Sequence, residues 1–142
     1  MSILSYFDNY DMKARKEHFL HLVQVANSDG VIDKTELKLL YTIGKKLGLT
    51  DPEIDELLKS KESKIFSPPY ELDRRFHRLY NIVAMALADG VLYQHELSLI
   101  KRFAAACSFN DADSEKVINL LVNGIKYGKN WEELFVEFQK IK

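Results

Sequence analysis

One short acidic motif occurs twice in this chain of 142 residues, and the repetition constrains the fold more than any other feature of the sequence. The first copy runs from Ala26 to Leu37 and the second from Ala86 to Leu97. Each copy contains an Asp-Gly pair followed by a Glu-Leu pair, at a constant offset of 60 residues. A period of that length is typical of duplicated supersecondary units that pack against each other. The sequence therefore predicts two copies of one helical unit.

Apolar residues follow helical spacing along nearly the whole chain. In each copy, one stripe with i, i+3, i+4, i+7 spacing precedes the motif and a second stripe follows it. A third helix is expected to begin near Asp51 and near Asp111, and Asn130 marks the cap of a final helix. Strand patterns are absent. We expect an all-α fold, a compact bundle of two pseudo-symmetric three-helix repeats plus terminal helices, in one domain spanning residues 1–142.

The two repeats, at about residues 13–60 and 71–124, differ in apolar content. Residues 82–88 contain no polar side chain, and a helix that is apolar on every side belongs in the centre of a bundle. The pair Lys45-Lys46, by contrast, is expected to place two charges in water. Before the first repeat, the segment from Met1 to Tyr10 carries several aromatic residues. It should either close the core or offer a docking edge.

Charge and cysteine content exclude several classes of protein. The chain has 20 basic and 21 acidic residues, so nothing favours nucleic acid or an anionic membrane as a partner. The single cysteine, Cys107, cannot form an internal disulfide and is expected to be a small core residue. The apolar start of the chain lacks a basic region and a cleavage site, and no stretch is long enough to span a bilayer. We therefore expect a cytoplasmic protein.

The motif acids present an electrostatic problem. Gly30 and Gly90 are expected to end helices in the left-handed conformation, which places Asp29 and Asp89 at helix C-termini. An acid there faces the negative pole of the helix dipole unless a positive group compensates. The sequence allows two explanations: the acids cap the next helix, or they hold a cation.

Capping explains part of the pattern. In the first copy, Asp33 stands three residues before Glu36 and forms a reasonable cap pair with it. In the second copy this position is Tyr93, a poor cap, yet Glu96 is retained. This difference favours a role for the glutamates beyond capping.

Other sites are less well supported by the sequence. The second half of a calcium-binding EF-hand loop matches the motif, but the first half would fall within helical stripes. His18 and His21 have the spacing of a metal-binding pair without an evident third ligand. No phosphate-binding glycine loop, nucleophile elbow or HExxH motif supports catalysis.

The pattern A-x-x-D-G-x-[ILV]-x-x-x-E-L, ending one helix and opening the next, resembles the TerB-like tellurite-resistance family over residues 19–122. This resemblance implies a compact helical domain associated with bacterial stress or metal-resistance systems, with the motif acids as suspected metal ligands. Carried over to this chain, the ligands are Asp29, Glu36, Asp89 and Glu96, with Asp33 less favoured because its counterpart is Tyr93.

We therefore expect a non-enzymatic helical interaction module of a bacterial stress-response or tellurite-resistance-like system. It would bind a partner protein, and a homodimer is one form that it could take. No cofactor is certain, although a divalent cation of the calcium or magnesium type could bind the motif acids. The alternative is a metal-dependent hydrolase that uses the same carboxylates, which would have to converge beside an open cleft.

Overall fold

The computed structural model describes residues 12–27, 32–59, 67–109 and 111–141, without the side chains of residues 111 and 112. Within these residues the chain is all-α, as predicted, with no strand. The helices are α1 (Met12–Ala26), α2 (Lys34–Lys46), α3 (Asp51–Lys59), α4 (Leu72–Ala86), α5 (Gln94–Ala106), α6 (Asp111–Lys126) and α7 (Trp131–Ile141). Among the residues described, none of the helices is both long and apolar enough to cross a membrane.

The helix boundaries follow the period of the sequence. Helices α1 and α4 each have 15 residues, and α2 and α5 each have 13, with starts and ends 60 residues apart. Helices α3 and α6 also begin 60 residues apart, but α3 has 9 residues and α6 has 16. Superposition of the two repeats about an internal twofold axis stays a prediction.

Helix α4 lies at the centre of the bundle. It packs against α1, α2, α5, α6 and α7. Residues 82–88, which cover its last turns and the start of the following turn, are all buried. The expectation that this segment is central is confirmed. Because residues 82–88 are buried on all sides and expose no face for polar groups, this segment contains no polar side chain.

Two of the helix starts have capping boxes. The backbone N–H of Glu53 donates to the hydroxyl of Thr50 (3.3 Å), and the Glu53 carboxylate accepts from the Thr50 N–H (2.9 Å). At the start of α7, the N–H of Glu133 donates to the side chain of Asn130 at 2.9 Å. These local contacts satisfy backbone donors that have no partner within the helix.

Cys107 is fully buried, as expected of a core residue, and burial raises the pKa of its thiol to about 12. The expectation that residues 1–10 close the core or offer a docking edge concerns residues outside the described part of the chain.

Candidate functional site

The second acidic motif forms a tight turn between α4 and α5. Helix α4 ends at Ala86, and Gly90 adopts the left-handed conformation with φ of +83°. Oδ1 of Asp89 accepts a hydrogen bond from the N–H of Val91 at 3.1 Å. The Glu96 carboxylate folds back to accept from the N–H of Tyr93 at 3.0 Å. Glu96 therefore caps α5 as the capping explanation requires, whereas Asp89 closes the turn before it.

The same turn surrounds a positive charge, the ammonium group of Lys46 at the end of α2. Nζ of Lys46 contacts five oxygen atoms: the carbonyls of Ala86 (2.7 Å) and Val91 (3.2 Å), Oε1 and Oε2 of Glu96 (2.9 and 2.7 Å), and Oδ1 of Asp89 (3.2 Å). One cation thus pairs with two carboxylates and caps the C-terminal end of α4. It is the compensating charge that an acid near a helix C-terminus requires.

Burial distinguishes Lys46 from its neighbour. The Lys46 side chain is 8% exposed and that of Glu96 is 1% exposed, whereas the Lys45 side chain is 62% exposed. The expectation that both lysines lie in water is wrong for Lys46. Its aliphatic stem can lie along the protein while the ammonium reaches the oxygen atoms of the turn.

The electrostatic effect is visible at Asp89. Partial burial acts to raise the pKa of this carboxyl, but the hydrogen bond from Val91 and the charge of Lys46 outweigh it. The pKa of Asp89 is consequently lowered.

The first motif binds a different cation, the guanidinium group of Arg102 on α5. Nη1 of Arg102 donates to Oε2 of Glu36 at 2.7 Å, and Nη2 donates to the carbonyls of Val25 and Ala26 at 3.2 Å each. These carbonyls lie at the C-terminal end of α1. Asp33 caps α2 by accepting from the N–H of Glu36 at 2.8 Å. Asp29 lies outside the described residues.

Each repeat therefore supplies the cation that its partner repeat requires. Lys46 of the first repeat binds the second motif, and Arg102 of the second repeat binds the first motif. The two basic residues do not occupy equivalent positions of the repeat. The counterpart of Lys46 is Ala106, and that of Arg102 is Thr42, one helical turn before Lys46 on α2. Comparison of the two repeats in the sequence therefore could not identify either residue.

The predicted metal ligands are thus divided between two places. Asp89 and Glu96 converge on Lys46, while Glu36 contacts Arg102. Carboxylate and carbonyl oxygens are the donors that calcium and magnesium prefer, so the chemistry of the second turn suits a cation. A divalent ion would have to displace the Lys46 ammonium. Across the part of the chain that the structure describes, no group of three or more His, Cys, Asp or Glu side chains could hold a metal ion.

The histidine pair predicted on α1 is placed beside a positive charge. Nδ1 of His21 lies 3.4 Å from Nη1 of Arg78. Burial lowers the pKa of His18 to about 4, with smaller contributions from His21, Arg78 and His77. The arrangement favours neutral imidazoles packed against a guanidinium group.

Helix α2 also bounds two grooves on the molecular surface. Lys34, Lys38 and Thr42 follow one another at i, i+4 spacing, and we call them the α2 ridge. A groove of about 730 Å³ lies on one side and reaches the start of α5. It is lined by Lys34, Thr35, Lys38, Leu39, Thr42, Tyr93, His95 and Glu96. A second groove of about 590 Å³, lined by the ridge with Leu37 and Tyr41, lies on the other side.

Both grooves contain exposed apolar surface. Leu37 is 38% exposed and Tyr93 is 52% exposed. The charged groups that line the grooves are lysines, apart from Glu96, whose carboxylate binds Lys46. The surface is therefore apolar at its base and positively charged along the ridge.

Comparison with known proteins gave no match to any family model, curated protein or solved structure.

Proposed function

We propose that this chain is a non-enzymatic, cytoplasmic interaction module that binds a partner protein through the α2 ridge and its two flanking grooves. The observation that carries the proposal is the exposed apolar surface of Leu37 and Tyr93 beside a row of lysines. Exposed apolar surface rimmed by polar groups is typical of protein interaction sites.

The contacts of the acids favour a binding module over the hydrolase. A metal-dependent hydrolase needs carboxylates that converge on an ion with an open coordination position. Here Glu96 is engaged by Lys46 and by the N–H of Tyr93, and Glu36 is engaged by Arg102. Both glutamates hold helices together, which is a structural role.

The resemblance to TerB-like proteins extends the proposal to a bacterial stress-response or tellurite-resistance-like system. A divalent cation of the calcium or magnesium type remains part of the proposal as an ion that competes with Lys46 for the second turn. Self-association through the same surface is a further form of the interaction.

The test compares two matched surface variants of the tagged full chain. Leu37→Ser with Tyr93→Ser removes apolar surface from the grooves, and Val136→Ser with Ile141→Ser removes similarly exposed apolar surface from α7. We expect a co-purifying protein, identified by mass spectrometry, to be lost with the first variant and retained with the second. Circular dichroism would establish that both variants fold.

Two results would overturn the proposal. One is a set of bound proteins that is the same for both variants. The other is a metal-dependent hydrolysis of ester or phosphoester substrates that disappears in Glu96→Gln while the fold is retained.

A further inference from the structure

The charges around the α2 ridge restrict the kind of partner that fits it. Lys34 and Lys38 are exposed and line both grooves. The groove on the α5 side also contains His95, in the first turn of α5, where the positive pole of the helix dipole lies. Glu96, which lines the same groove, is almost completely buried and its charge is offset by Lys46. An acidic partner is favoured over a basic one.

The shape of the surface indicates the conformation of the bound segment. Lys34 and Lys38 are separated by one helical turn, roughly 6 Å along α2. Carboxylates at i and i+4 on a partner helix have the same separation. Leu37 and Tyr41 on one side, and Leu39 and Tyr93 on the other, offer apolar contacts parallel to this row. The part of the chain described by the structure has no strand edge to which an extended peptide could add.

We propose that the α2 ridge binds an acidic amphipathic helix of a partner protein. Carboxylates spaced by one turn pair with Lys34 and Lys38, and the apolar stripe of the helix fills one of the grooves beside them. This inference rests on the proposed function and specifies the chemistry of the partner.

The test uses two synthetic peptides of identical composition, rich in leucine and glutamate and about 15 residues long, so that a helix can form. One peptide has leucines at i, i+3, i+4 and i+7 and a pair of glutamates four residues apart at positions between the leucines. The other has the same residues in scrambled order. Binding of each to the full chain is measured by fluorescence anisotropy at low and high salt.

We expect the amphipathic peptide to bind more tightly than the scrambled peptide, and its binding to weaken with salt. Lys38→Glu should weaken it by about three- to tenfold, the range expected when an exposed ion pair becomes a repulsive one. Lys140→Glu, an exposed lysine on α7, is the matched control and should have no effect.

Equal binding of the two peptides, or equal effects of Lys38→Glu and Lys140→Glu, would overturn the inference. So would self-association of the unmodified chain that Lys38→Glu abolishes, since a second copy would then occupy the ridge. The proposed function would still hold after any of these outcomes if the variant with Leu37→Ser and Tyr93→Ser loses its partner protein. If that variant keeps the same bound proteins as the α7 control variant, the proposed function itself is refuted.

Discussion

Replacing Lys46 by methionine tests whether the ammonium group in the second turn stabilises the fold. Methionine keeps most of the length and apolar contact of the lysine stem but removes the charge. The Glu96 carboxylate, at 1% exposure, would then retain the N–H of Tyr93 as a donor and lose its cation. A buried carboxylate without its counter-charge is strongly unfavourable.

The expected cost follows from the burial of the pair. Breaking a buried ion pair by removing one partner typically costs about 3–5 kcal/mol. The free energy of unfolding of a domain is roughly 5–15 kcal/mol, so Lys46→Met should remove a large part of it. The pair is connected to Asp89 and to two carbonyls as well, which favours the upper half of the range.

A double-mutant cycle separates the stranded carboxylate from lost packing. Glu96→Gln keeps an acceptor for the Tyr93 N–H and removes the charge. We expect Lys46→Met combined with Glu96→Gln to be more stable than Lys46→Met alone by about 2–3 kcal/mol, because no buried charge is left unpaired.

The assay is urea unfolding followed by far-ultraviolet circular dichroism and by the fluorescence of Trp131, the only tryptophan. Coincident transitions would justify a two-state free energy. Lys45→Met is the control on the adjacent residue, since Lys45 pairs with Asp51 in an exposed contact. It should change stability by about 0.5 kcal/mol or less. Arg102→Met should lie between them, at about 1–2 kcal/mol, because Glu36 is more exposed than Glu96.

A cost of Lys46→Met no greater than that of Lys45→Met would refute a stabilising role of the ammonium group. A Glu96→Gln substitution that gives no recovery in the Lys46→Met background would refute it as well, because the loss would then come from packing.

Four further predictions concern pH, helix packing, the turn at Asp89 and cations. Between pH 6.5 and about 4 the unfolded chain binds a proton at His18 that the folded protein does not. The free energy of unfolding should therefore fall by about 3 kcal/mol as the pH decreases through this window. His18→Gln should make the free energy of unfolding, measured in urea, less dependent on pH. Gly44→Ala should destabilise by about 1–2 kcal/mol in the same assay, because a methyl group there would meet Ile54 Cδ1 at 2.7 Å and overpacking outweighs the gain in helix propensity. In thermal melts, Asp89→Asn should keep the melting temperature nearly unchanged and Asp89→Ala should lower it if the residue is structural. If the second turn binds calcium, magnesium, manganese or zinc at millimolar concentration, these ions should raise the melting temperature of Lys46→Met more than that of the unmodified chain. If the ions raise the melting temperature of neither protein, the cation hypothesis is rejected.

The helices could be predicted from the sequence because their signals are local. The apolar stripes, the capping residues Thr50 and Asn130, and the apolar run of residues 82–88 each depend on neighbours within a few positions. The structure confirms the all-α fold and the central position of the apolar run. The predicted turn at Gly90 also has the left-handed backbone that favours glycine.

The cations of the two motifs could not be predicted in the same way. Lys46 and Arg102 are about 50 and 66 residues from the glutamates that they bind. Nothing in the local sequence distinguishes Lys46 from Lys45, and only the packing of α2 beside α5 decides which of them is buried. The sequence did indicate that an acid near a helix C-terminus needs a positive partner, but it identified neither partner.

The two motif glutamates occupy equivalent positions of the repeat and are held differently. The Glu36 carboxylate contacts Arg102 and remains partly exposed. The Glu96 carboxylate accepts from the Tyr93 N–H as well as from Lys46 and is almost completely buried. Because breaking an ion pair costs more when the remaining charge is buried, we expect the loss of Lys46 to destabilise the fold more than the loss of Arg102. Equivalent positions in the sequence are therefore expected to differ in their contribution to stability.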